Sequence, residues 1–135
     1  MRTLARRLAS ERGQTLIEGL LALSLVLLVV AFTAEAIGYA HTRSVAQAAA
    51  QDGARTAATS GAQAGIDRAD AVLTAAGGAG TGLHASATLD GNEVTIHVAG
   101  QAPHLFAIPL LLPAVSASAS LPLEQYPANE QAMSP

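Results

Sequence analysis

Residues 20–34 read LLALSLVLLVVAFTA, an apolar run with one Ser, one Thr and no charge. These 15 residues fall short of the roughly 20 that a bilayer-spanning helix needs. Counting from Gln14 gives 21 residues, about 31 Å of helix at about 1.5 Å per residue. That length matches a hydrocarbon core, but it brings Glu18 inside the span. An ionised carboxylate in or beside lipid is costly and is usually paired. The partner of Glu18 therefore constrains how the chain is processed and where it sits.

Charge is distributed unevenly around this run. Residues 1–13 carry Arg2, Arg6, Arg7 and Arg12 against Glu11, a net of +3, and the remaining residues carry −6, giving −3 for the 135-residue chain. A basic head before an apolar run, followed by an acidic body, places the head in the cytoplasm and the body outside. The absence of a basic face argues against nucleic-acid binding. Without Cys, disulfides, thiol catalysis and Cys-ligated metals are excluded. Without Lys, Schiff-base chemistry and a phosphate-binding P-loop lysine are excluded as well. Aromatic residues make up 3% of the chain, so a folded body must be built from Ala, Val, Leu and Ile.

Gln14 lies four residues before Glu18, and Gly13 precedes it. Cleavage after Gly13 would remove the basic head and leave a new α-amino group one helical turn from Glu18. Residues four apart share a helix face. Ammonium and carboxylate could then neutralise each other within a chain or between adjacent chains.

The sequence RGQTLIE followed by LLALSLVLLVV resembles the class III signal of type IV pilin-like proteins. Residues 46–58, AQAAAQDGARTAA, are similar to the A-x-x-G-A-R segment of TadE-like pseudopilins of the tight-adherence (Tad, or Flp) pilus system. The resemblance runs from about Arg12 to Ala58. Gln14 stands where many type IV pilins have Phe, and Gly19 follows Glu18 where the short Flp pilin has Tyr. With the long body, these departures point to a minor pseudopilin rather than the major subunit.

The resemblance implies a set of partners: a prepilin peptidase cutting between Gly13 and Gln14, inner-membrane platform proteins, a motor ATPase acting through them, and other pilins or pseudopilins. It also implies that Glu18 holds subunit register and neutralises the new N-terminus. The lipid bilayer is the remaining partner. The chain would be a single-pass protein of the cytoplasmic membrane with an extracytoplasmic body, possessing no catalysis and no cofactor of its own.

Two other readings of the head compete. Ala34-Glu35-Ala36 offers a conventional signal-peptidase site whose use would release a soluble binding module starting at Ile37. Alternatively the segment stays uncut as an anchor, with Glu18 snorkelling to the membrane surface. Arg6-Arg7 are not followed by the residues of a twin-arginine signal.

Beyond the apolar run no Pro or Gly pair interrupts the chain before Ser60, which predicts that the helix continues outward. Ala46, Ala49, Ala50, Gly53, Ala54 and Ala57 recur at three- and four-residue intervals, a packing seam for the chain's own strands or for neighbouring subunits. The same pattern would also follow from Ala being the best helix former. Residues 59–64 read as a break. Residues 66–76 read as a short helix with Ile66, Ala69, Leu73 and Ala76 on one face and Asp67 and Asp70 near its positive end. Gly77, Gly78, Gly80 and Gly82 read as a flexible connection.

The period then changes to two. Residues 83–89 and 93–99 alternate apolar and polar around Asp90-Gly91, a two-residue hairpin signal, and residues 115–121 alternate again before Pro122. Between them, residues 101–113 read as a loop containing LFAIPLLL. The expected fold is α+β: a long N-terminal membrane-spanning helix packed on a small three-stranded antiparallel sheet, as in pilins. Its segments are a leader (1–13), a transmembrane segment (14–36), a helical extension (37–59), an α+β domain (60–123) and a tail (124–135).

An Asp90-Gly91 turn places His84 opposite His97 on the polar face, close enough to share a metal if Glu93 or His104 supplied a further ligand. A turn at Gly91-Asn92 instead would separate the pair, and the plainer reading makes both histidines solvated surface residues. Ser116, Ser118 and Ser120 have strand spacing and no identifiable base, so no catalytic site is recognisable.

Overall fold

A computed structural model describes residues 2–103 and 113–123, with side chains from residue 15 onward. The elements in chain order are α1 (Arg2–Ser60), α2 (Ala62–Ala75), a 3₁₀ turn (Gly77–Gly80), β1 (Leu83–Asp90), β2 (Glu93–Gly100) and β3 (Val115–Pro122). The expected α+β arrangement is what the structure has, a long N-terminal apolar helix and a small antiparallel sheet. The chain divides into two compact units, Met1–Ile37 and Gly38–Pro135, and α1 contributes to both.

The first unit is helical throughout its described residues. Its large apolar side chains, from Leu16 to Val30, are exposed. From Thr15 the helix is long and apolar enough to cross a membrane. Two hydroxyls interrupt the apolar surface, and each is satisfied within the helix. Ser24 donates to the Leu20 carbonyl and Thr33 to the Val29 carbonyl, both at 2.8 Å. Neither therefore presents an unpaired polar group to an apolar solvent.

The second unit has its own core. Val94, Ile96 and Val98 of β2, Leu83 of β1 and Val115 of β3 are buried on one sheet face. Ala46, Ala49, Ala50, Ala54 and Ala57 of α1 join them in the same cluster with Ala69 and Leu73 of α2. The small residues let backbones approach closely. A methyl group at Gly53 would lie 2.8 Å from the Gly65 carbonyl oxygen, 3.0 Å from Ala69 Cβ and 3.2 Å from Ile96 Cγ2. This part of α1 thus packs on both α2 and the central strand. The aromatic-poor composition is accommodated by bringing backbones together rather than by filling space with rings.

α2 differs from the sequence expectation. It begins at Ala62 rather than Ile66, because Gly61 alone reverses the chain, with φ +93°. Asp67 and Asp70 consequently lie outside its first turn, and Asp67 accepts a hydrogen bond from Gln63 Nε2 at 3.0 Å. The expected pairing of these carboxylates with the helix dipole does not occur. The following glycines take regular structure. Gly77–Gly80 form the 3₁₀ turn, and Gly80 is buried against the Leu73 backbone.

The sheet order is β1-β2-β3, antiparallel throughout. The hairpin turn is Gly91-Asn92, not Asp90-Gly91, and Asp90 pairs with Glu93. Gly91 has φ +58°, and among the described residues no non-glycine residue has positive φ. That is the type II′ arrangement, which wants Gly first, whereas a turn centred on Asp90-Gly91 would have favoured positive φ at both residues.

Candidate functional site

The residues proposed to be read by a processing enzyme lie near the start of α1. Gly13 and Gln14 are helical, and α1 runs through the bond between them without a break. Glu18 follows one turn later and is exposed, as are its neighbours Ile17 and Gly19. A side chain at position 19 would meet nothing within 4 Å. Glu18 thus stands on the same open helical surface as the apolar run, available to a partner outside this part of the chain. The helix also continues unbroken through Ala36 and Ile37, the conventional signal-peptidase position.

A second carboxylate on α1 escaped sequence reasoning. Glu35 is 7% exposed, with Thr42 at 1% two turns further on. Glu18 and Glu35 bracket a charge-free stretch of 16 residues, 19–34, about 24 Å of helix. The available signal was the spacing of Thr42 from Ala46, which extends the Ala seam toward the N-terminus. Burial of Glu35 had none. Among the described residues every buried polar side-chain atom has a hydrogen-bond partner.

On the seam, Ala46, Ala50, Gly53, Ala54 and Ala57 are all buried within the chain's own second unit. Their packing surface is occupied by α2 and the sheet, so they are not free to receive a neighbouring subunit. At the rim of this packing, Asp52 accepts from Arg68 at 3.0 Å, tying α2 to α1, and from Arg55 of its own helix at 3.4 Å.

The two-histidine idea fails on register. His84 pairs with Ala99 and His97 with Ser86, a shift of two residues from the expected pairing. His97 Nε2 lies 3.2 Å from Thr88 Oγ1 instead. Among the described residues no cluster of three His, Asp or Glu side chains could hold a metal, and His104 lies outside them. An open groove of about 520 Å³ is lined by Asp70, Thr74, Gly77, Thr81 and His84, among others. Its two threonine hydroxyls donate to the backbone carbonyls of Asp70 and Gly77.

These features define a class: an α+β chain whose N-terminal helix is apolar and long enough for one membrane crossing. Residues 13–55 match the family of TadE-like proteins, so over that stretch the resemblance is a family match. The matched segment begins at Gly13, contains Glu18 and the whole apolar run, and ends with the Gly53-Ala54-Arg55 triplet. No curated protein and no solved structure matches the chain.

Proposed function

We propose that this chain is a minor pseudopilin-like structural protein of tight-adherence pilus assembly, processed by a prepilin peptidase after Gly13. The observation that carries the reading is the family match over 13–55, which starts at the proposed cleavage residue and encloses Glu18 and the apolar run. In this role the basic head holds the N-terminus in the cytoplasm, residues 14–36 cross the membrane, and the body lies outside. Cleavage removes the arginines and leaves the Gln14 ammonium one turn from Glu18. The pair lets the mature helix leave lipid for a filament without carrying an uncompensated charge. Platform proteins, a motor ATPase acting through them, and other pilins are the partners. The chain acts as the peptidase's substrate and catalyses nothing.

Mass spectrometry of the N-terminus of the protein isolated from cells tests the reading. Gln14 as first residue supports it. Met1 would establish an uncut anchor, and Ile37 a secreted module. Gly13→Leu should leave full-length precursor in the membrane. Glu18→Ala should still be cut but should not enter filaments, and normal assembly of that variant would remove the role given to Glu18.

A further inference from the structure

The proposed function leaves unused the identity of the residue that cleavage would free. Gln14 is that residue, and glutamine has a chemistry at a chain start that most residues lack. Its carboxamide carbon is within reach of its own α-amine, and attack there closes a five-membered lactam. In the intact chain this nitrogen is the amide of the Gly13–Gln14 bond inside α1 and is not a nucleophile. Cleavage would make it one.

The charge at stake has no substitute nearby. From Gln14 to Thr42 the chain has no Arg and no Lys, so the new ammonium would be the one permanent cation available to Glu18 in its own helix. Glu18 is exposed and, among the described residues, makes no ion pair or hydrogen bond. α1 is helical through residues 14–18. Side chains on a helix lean toward its N-terminus, so the Glu18 carboxylate sets out toward the turn that begins at Gln14.

We propose that the freed Gln14 is a self-modification site and that Glu18 of the same helix holds it in check; the inference rests on cleavage after Gly13. In the unchecked reaction the neutral α-amine nitrogen bonds to the side-chain Cδ and the Cδ–Nε2 bond breaks. Nε2 leaves as ammonia, taking a proton from the attacking amine. Nothing else is consumed, and the product, pyroglutamate, carries a neutral lactam where the ammonium stood. An ammonium that donates to the Glu18 carboxylate has no lone pair with which to attack. Pairing and cyclisation therefore exclude each other. A subunit whose pair stays closed keeps its charge. One whose pair opens loses it for good, which leaves Glu18 uncompensated beside lipid.

The test follows the N-terminal peptide by mass while the mature protein, isolated from cells, is held in detergent at neutral pH. The wild type should keep the mass of a free Gln14 terminus. Glu18→Gln, which removes the charge and keeps the size, should lose the mass of one ammonia several-fold faster. The residue is exposed, so this variant leaves the core untouched. Adding Gln14→Ala to Glu18→Gln removes the ring-forming carboxamide and should stop the loss.

Equal rates in the wild type and Glu18→Gln, a wild-type terminus wholly cyclised on isolation, or ammonia loss in the double variant would overturn the inference. A chain that still begins at Met1 fails the cleavage reading and takes this inference with it. A chain that begins at Gln14 and cyclises regardless of residue 18 leaves cleavage standing and removes only the guard.

Discussion

Gly65 shows how little room the body leaves for a methyl group. A Cβ there would lie 2.5 Å from Ala57 Cβ and 2.7 Å from the Gly53 carbonyl oxygen. In an open helix, Gly→Ala gains up to about 1 kcal/mol of propensity. Here overpacking costs about 1–3 kcal/mol, and part of the clash is with backbone that cannot swing away. Gly65→Ala should therefore lower the urea midpoint of the full chain in detergent. Asp52→Ala removes the ion pair that joins α2 to α1 through Arg68 and the pair within α1 to Arg55, yet both arginines are exposed and Asp52 is partly so. Such pairs contribute less than about 1 kcal/mol, so its midpoint should fall less than that of Gly65→Ala. The reverse order would mean that charge rather than close packing holds the helices together.

At the scale of elements, the hairpin tests the turn assignment. Gly91→Ala forces a Cβ into φ +58° and should destabilise the chain by more than about 1 kcal/mol, measured by the same unfolding curve. Asn92→Ala needs no positive φ and should cost much less. If the two costs were equal, the turn would not be type II′. The same turn explains what could and could not be read beforehand. The faces of β1 and β2 were legible from alternation alone, because a two-residue register shift leaves every side chain on its side. Register was not legible, since Asp-Gly and Gly-Asn are both good turn pairs and they overlap here. The pairing of His84 with His97 therefore failed while the assignment of Val94, Ile96 and Val98 to the core held. The start of α2 was missed for a related reason. A single Gly at positive φ can join two helices directly, so the Gly- and Ser-containing stretch 59–64 needs no break longer than that one residue. By contrast Gly13, Gln14 and Glu18 form a motif local in sequence, which needs no tertiary contact to be recognised.

For the whole molecule the decisive question is whether the exposed apolar surface of α1 is covered by lipid. Thr33 and Ala40 lie seven residues apart on α1, and both are exposed in the structure. Protein packing therefore gives a thiol-reactive probe no reason to distinguish them. A bilayer gives a strong one, because Thr33 falls within the charge-free stretch and Ala40 beyond Glu35. In intact cells whose outer face is accessible, Ala40→Cys should react with a membrane-impermeant maleimide and Thr33→Cys should not. After solubilisation in denaturing detergent both should react. The difference is carried by solvent rather than by fold, since a thiolate does not form in hydrocarbon and the reagent does not enter it. Equal labelling of the two in intact cells would place residue 33 in water and remove the membrane span. Protection of both would move the boundary past residue 40, placing Glu35 well inside the hydrocarbon rather than at the end of the span and requiring its charge to be neutralised there.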